Sequence, residues 1–290
     1  MLKRNIKNIM TFLLLLMAFV SYSQKVLNLK DYNIKDAKDA TSIVIEALEK
    51  CKEEGFSKLV FPKGTYHFYP TFAPEIFCEI TNNDNGYKRT SFPLIDFHDF
   101  TIDGNGSDFI YHGKMIPFII EESTNIKVTN LNIDWEIPFN LEGLVVAKDA
   151  SNNSFDIEVK TPYVVKHERL YISLERPDSP YERKFGKNFA MWEHDNLEIA
   201  ENIFWDPKTM APIYNTKLYE LEDRGVKAEE LKKGLVRLSS SIENLPPIGA
   251  VFVSKGDYLQ NRTSPAFRVF KTKNLELKAV NVHHAGAMGL

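Results

Sequence analysis

Three groups of side chains in this 290-residue chain have types and spacings able to do chemistry. The first is Asp134-Trp135-Glu136. Residues two apart on a strand project from one face, about 6.5–7 Å apart, and paired carboxylates are the usual apparatus for hydrolysing glycosidic bonds. Trp135 would turn the other way and stack on a sugar wherever it faces a groove; the plainer alternative is that these charges only end a strand. The second is His283-His284-Ala285-Gly286-Ala287-Met288-Gly289, two imidazoles followed by small residues that allow close approach by a ligand. Consecutive strand residues point opposite ways, so the pair reads as a hydrogen-bonding group rather than a metal site. A single buried histidine is the plainer alternative there. The third runs from Thr81 through Asn82, Asn83, Asp84, Asn85, Gly86, Tyr87 and Lys88 to Arg89. It is dense in groups that hydrogen-bond hydroxyls, and a guanidinium such as that of Arg89 can also take a carboxylate or sulfate. An ordinary polar loop has the same composition.

The elements that must position these residues announce themselves as a repeat. Phe118-Ile119-Ile120 leads to Asn125-Ile126-Lys127-Val128, Leu131, Ile133 and Asp134-Trp135; Phe267-Arg268-Val269 leads to Asn274-Leu275-Glu276-Leu277, Val280, Val282 and His283-His284. The second copy begins 149 positions after the first, and a weaker copy places Asp99-Phe100-Thr101-Ile102 ahead of both. Short strands ended by polar turn residues, with matching apolar positions, are what a solenoid of parallel β coils requires. A coil uses about 25 residues, so the gap between copies is far too long for one turn. Within it, segments such as Leu144-Val145-Val146, Phe155–Val159, Leu170–Leu174, Leu235–Leu238 and Ala250–Val253 read as an inserted antiparallel barrel or sandwich, and Glu220–Lys233 as the place for one helix. A helix over about Ala40–Glu54, capped by Asp39 and stopped by Gly55, covers the start of the stack. Asp103-Gly104-Asn105-Gly106 is a tight turn in which Asp103 satisfies amides, a catalytic carboxylate being the alternative.

Bulk properties narrow the function. A formal charge of −3 with no basic stripe argues against a nucleic-acid partner, and 43% hydrophobic content supplies a core. Lys3, Arg4 and Lys7 precede an apolar run from Ile9 to Val20 and then Ser21-Tyr22-Ser23. That is the form of a cleavable secretory signal over residues 1–23, too short for the ~20 apolar residues of a spanning helix. The expected location is secreted or periplasmic, with no stable membrane insertion after cleavage; a retained anchor is the alternative. Cys51 and Cys78 can form one disulfide in such a compartment, or remain two buried thiols. His98, His112 and His194 form no constellation, and no nucleophile elbow, Walker loop, dinucleotide fingerprint or metalloprotease helix is present.

Several blocks together carry a resemblance. They are Asn83-Asp84-Asn85-Gly86 with Arg89-Thr90-Ser91-Phe92-Pro93, Ile102-Asp103-Gly104-Asn105-Gly106-Ser107, Met115-Ile116-Pro117-Phe118-Ile119, Asp134-Trp135-Glu136-Ile137-Pro138-Phe139 and His283-His284-Ala285-Gly286-Ala287-Met288-Gly289. In this order they resemble glycoside hydrolase family 110, the exo-α-1,3-galactosidases. The resemblance implies a right-handed parallel β-helix with small barrel insertions, inverting removal of terminal α-linked galactose as from the blood-group B antigen, and no metal or cofactor in the chemistry. It also places the catalytic aspartates in coils that follow the His-His-Ala-Gly block. Leu290 lies inside that block, so no residue here matches them and the expected catalytic set is empty.

The expected architecture is therefore all-β. It has a cap helix and first β-helix coils over residues 24–136, an inserted barrel-like domain over 137–262 and a resumed coil over 263–290. Asn83, Asp84, Arg89, Asp134, Trp135, Glu136, His283 and His284 are the candidate substrate-binding residues, for a galactose-containing oligosaccharide or polysaccharide, and a homodimer is compatible with the reading. A polysaccharide lyase and a non-catalytic carbohydrate-binding β-helix are the rivals. Lyases often bind calcium, and no acidic calcium cluster is evident.

Overall fold

The computed structural model describes residues 25–80, 85–174, 196–213, 226–239, 244–256 and 264–287. The first strands are β1 (Val26–Asn28), β2 (Lys58–Val60), β3 (Thr65–Phe68), β4 (Glu75–Cys78), β5 (Gly86–Ile95), β6 (His98–Tyr111), β7 (Ile116–Glu121) and β8 (Thr124–Trp135). Then come β9 (Asn140–Asp149), β10 (Ser154–Val159), β11 (Tyr163–Lys166), β12 (Arg169–Ser173), β13 (Asn196–Asp206), β14 (Ala211–Pro212), β15 (Lys227–Lys232), β16 (Leu235–Ser239) and β17 (Val251–Gly256). The last two are β18 (Phe267–Phe270) and β19 (Lys273–Val282).

The repeated pattern becomes parallel pairing. Strand β8 lies between β6 and β19, with Ile126 beside Phe100 and Leu275, and Ile133 beside Phe109 and Val282. A second parallel sheet sets Phe118 of β7 between Phe92 of β5 and Phe267 of β18. Alternation puts Ile126, Val128, Leu131 and Ile133 inside, all essentially inaccessible. The Phe92, Phe118 and Phe267 rings stack face to face at 4.3 and 4.8 Å. Burying such a ring stabilises by roughly 1.5–3 kcal/mol, and each aromatic contact adds about 0.5–1.5 kcal/mol.

The corners between strands are polar for a conformational reason. Asp99, Asn125 and Asn274 occupy one position in three neighbouring strands, with φ of 51°, 55° and 55°. Asn and Asp tolerate this left-handed region best among residues with a Cβ. Their side chains also join: the Asn125 amide donates to Asp99 at 2.7 Å, and the Asn274 amide donates to Asn125 at 2.8 Å. In the turn inside β6, Asp103 accepts from the Asn105 N–H and from the Asn130 amide, both at 3.0 Å. Gly104 is obligatory there, since a Cβ would fall 2.5 Å from Leu131 Cβ and 2.7 Å from the Asn130 carbonyl.

The helix α1 (Thr41–Glu54) begins where Asp39 accepts the Thr41 N–H at 2.8 Å and ends at Gly55, whose φ is 70°. It buries Val44, Ala47, Leu48 and Cys51 against β2 and β5. No helix among the described residues is long and apolar enough to cross a membrane. Cys51 and Cys78 are both buried and free, so the unpaired alternative holds.

Strands β9–β17 form one antiparallel sheet in the order β11-β12-β13-β17-β9-β10-β16-β15, with β14 beside β13. Its two edges are drawn together. Ala228 N–H donates to the Glu168 carbonyl at 2.8 Å, Arg169 to the Val226 carbonyl at 3.0 Å, and Tyr163 hydroxyl to Glu230 at 2.7 Å. The result is a nearly closed, barrel-like sheet. The helix expected over Glu220–Lys233 is corrected in part: Lys227–Lys232 is β15, held by antiparallel pairing to β16. Residues 220–225 lie outside the described set.

Candidate functional site

A cavity of about 330 Å³ is lined by Thr65, Asp108, Ile110, Asn132, Asp134 and His283. Strand register explains the set. Thr65 pairs with Asp108 and Asp108 with Asn132, while Ile110 pairs with Asp134. These positions alternate with the buried Tyr66, Phe109 and Ile133, so they face away from the core.

Hydrogen bonds organise this face. Asn281 donates its amide to Asn132, and Asn132 donates to Asp108, both at 2.7 Å. Each link fixes which way an amide points, and the ladder ends on the Asp108 carboxylate. Asp134 is half-buried and meets His284 Nδ1 at 2.7 Å. A carboxylate oxygen accepts, so Nδ1 is the nitrogen that donates in this contact. The Trp135 N–H donates to the same Asp134 oxygen, Oδ1, at 2.8 Å. Both bonds fall on Oδ1.

Of the residues singled out from sequence, Asp134, His283 and His284 come together here. The two histidines do not point opposite ways as strand neighbours would. Strand β19 ends at Val282 and His284 has φ of 51°, so His283 lines the cavity while His284 binds Asp134. Glu136 is exposed and lies past the end of β8, so strand alternation no longer aligns it with Asp134; its N–H donates to the Tyr111 carbonyl. Trp135 is corrected as a sugar platform. It is 3% exposed and packs against Tyr111 and Phe139, because position 135 falls on the inward side of β8. Tyr111 beneath it is also fully enclosed, and burial pushes its phenol far up.

Arg89 is likewise occupied by structure. Its guanidinium donates to the carbonyls of Pro70, Thr71 and Ala73 at 3.0–3.3 Å and to Glu75 at 2.8 Å, fixing the turn before β4. Asn83 and Asp84 lie outside the described residues.

Asp108, Asn132 and Thr65 were not anticipated. The signal existed for one of them: Asn132 recurs as Asn281, 149 positions later and again between apolar residues, but the apolar positions dominate the repeat. A histidine pairing was also missed, since His67 Nδ1 lies 2.9 Å from His112 Nε2. His98 pairs at the surface with Asp96, and His194 lies outside the described residues. Among the described residues, no three of His, Cys, Asp and Glu gather as a metal site would require.

Residues 141–252 match a family described as GLAA-B beta-barrel domain I, which is the stretch from β9 into β17. Over 272 residues the chain is 30% identical to alpha-1,3-galactosidase A of Shewanella woodyi. The chain is similar to alpha-1,3-galactosidases. It is also 29% identical over 278 residues to alpha-1,3-galactosidase B of Bacteroides thetaiotaomicron, and 25% identical over 260 residues to that of Akkermansia muciniphila. These alignments take in 92%, 92% and 87% of this chain but only 41%, 41% and 29% of the relatives. The resemblance carried by the sequence blocks is thus met by relatives of that name.

Proposed function

We propose that this chain serves a secreted exo-α-galactosidase that removes terminal α-1,3-linked galactose with inversion, and that it supplies part of the sugar-holding surface. The observation that carries the reading is the Asp134–His284 hydrogen bond, made between residues 150 positions apart at a cavity lined by Asp108, Asn132 and His283. A row of carboxylate, amide and imidazole groups on a rigid sheet suits the dense hydroxyls of a sugar. The parallel pairings and the repeated turns support a right-handed β-helix over 24–136 and 263–290, interrupted by a barrel-like insertion over 137–262. The names of the relatives support the substrate class.

Among the described residues, the carboxylates at the cavity do not complete an inverting site. Inversion needs an acid and a base about 6.5–9.5 Å apart on opposite faces of the scissile bond. Asp108 and Asp134 sit on adjacent strands, two residues out of register, about 8 Å apart from strand dimensions. They lie on one face of one sheet and therefore on one side of a bound sugar. Asp134, His283, His284, Asp108 and Asn132 accordingly hold the sugar, and this chain binds galactosides without cleaving them.

The class is tested by supplying the gene product that carries this chain with a terminal α-1,3-galactoside and following free galactose and its anomeric form. Release of β-galactose supports the reading. An unsaturated product from an acidic polysaccharide would replace it with a lyase, and binding with no product would leave a carbohydrate-binding module.

A further inference from the structure

The hairpin of β4 and β5 carries two large rings in solvent. Phe77 and Tyr87 face each other across the antiparallel pair and are 63% and 70% exposed. Their ring centroids are 5.4 Å apart with planes at 75°. The other face of the hairpin is anchored, because Cys78 and Ile80 pack on Ile116 and Ile119 with Ile76 beside them. Two residues along, on the aromatic side, Glu75 and Arg89 form an ion pair at 2.8 Å, and Arg89 is tied to three backbone carbonyls. The rings therefore stand on a rigid base with a carboxylate next to them, and none of the cavity's lining residues belongs to this hairpin.

We propose that Phe77 and Tyr87 form a corner-shaped stacking platform, one ring presenting its face and the other its edge, for a pyranose ring of a bound oligosaccharide, at a point separate from the Asp134 cavity. The inference rests on the carbohydrate reading above. Size selects the occupant. Two side chains of this kind present about 150–250 Å² each, far below the ~1,200–2,000 Å² of a stable protein interface, but matched to one sugar ring. Chemistry selects it too. A pyranose shows an apolar C–H face to aromatic rings and hydroxyls at its rim, and the rim here meets Glu75. A purely apolar ligand would leave that ion pair facing it.

The test is a titration of the 290-residue chain, and of its Phe77→Ala, Tyr87→Ala, Tyr87→Phe and Asp134→Asn variants, with two probes. One is galactose; the other is a trisaccharide ending in α-1,3-galactose. The platform predicts that the trisaccharide binds more tightly than galactose, and that each alanine variant weakens only the trisaccharide, by roughly three- to tenfold. Tyr87→Phe keeps the ring and retains binding. Unchanged trisaccharide affinity in both alanine variants overturns the platform while leaving the cavity reading intact. Trisaccharide binding lost in the alanine variants but unaffected by Asp134→Asn supports the platform and removes the cavity. No binding of either sugar to the wild-type chain overturns both. If the alanine variants instead convert a dimer to a monomer in sedimentation, with affinity unchanged, the rings are a self-association surface and the proposal is wrong.

Discussion

Replacing Asn125 separates the two roles that the corner ladder assigns to it. The side chain donates to Asp99 and accepts from Asn274, and the backbone sits at φ 55°. Alanine removes both hydrogen bonds and leaves a Cβ in the left-handed region. For solvent-exposed bonds near the low end of the usual range, that is about 0.5–1 kcal/mol each, and the left-handed conformation costs an ordinary L residue a further ~1 kcal/mol. Asn125→Ala is therefore expected to destabilise by about 2–3 kcal/mol. Asn125→Gly loses the same bonds but is at home at positive φ, so it should cost about 1 kcal/mol less than alanine. Urea denaturation followed by tryptophan fluorescence reads the difference, since Trp135 is buried at the end of the same strand. A glycine variant at least as damaged as the alanine variant would refute the role of backbone conformation. No shift in either would refute the ladder.

Three further outcomes are expected. Arg89→Met removes the guanidinium's hydrogen bonds to the carbonyls of Pro70, Thr71 and Ala73 and should cost roughly 3 kcal/mol in thermal or urea unfolding, with Arg89→Lys failing to restore it because one ammonium cannot reproduce the planar fork. At Asp103, burial raises the carboxyl, but hydrogen bonds from Lys58, Asn130 and the Asn105 N–H outweigh it and hold the group below its ordinary 3.8. A depressed carboxylate stabilises the fold above its unfolded pKa, and that contribution is lost as pH falls through the folded value. Asp103→Asn should therefore lower stability at pH 7 and flatten its decline below about pH 4. Burial pushes the Cys51 thiol up to about 12, so alkylation at pH 8 should be slow in the native state, and denaturation should release both thiols to the reagent without prior reduction.

What could be read from the sequence was what repeats. The apolar spacing shared by Ile126, Val128, Leu131 and Ile133 with Leu275, Leu277, Val280 and Val282 specifies parallel neighbours, because only stacked copies place equal residues on equal positions. The helix was legible through Asp39 and Gly55, whose capping roles are local. The site was legible only in part. Asp134, His283 and His284 stood out as chemical types, but the Asp134–His284 contact joins residues 150 apart and depends on a left-handed turn after β19. Trp135 and Arg89 misled because residue type says nothing of direction: one points into the core, and the other is consumed by carbonyls from a turn up to 19 residues upstream. Lys227–Lys232, charged and without strand-like alternation, became a strand through pairing with β16, a long-range choice that local propensity does not encode.

The central claim is that Asp134, oriented by His284, holds a galactoside without cleaving it, and calorimetric titration of the 290-residue chain with methyl α-galactoside tests it most directly, run alongside release of nitrophenol from the corresponding nitrophenyl α-galactoside. The account predicts weak binding that falls about tenfold or more in Asp134→Asn, from loss of a hydrogen bond to a charged group, with no nitrophenol released by either protein. Binding indifferent to Asp134→Asn, or turnover abolished by that substitution, would contradict it.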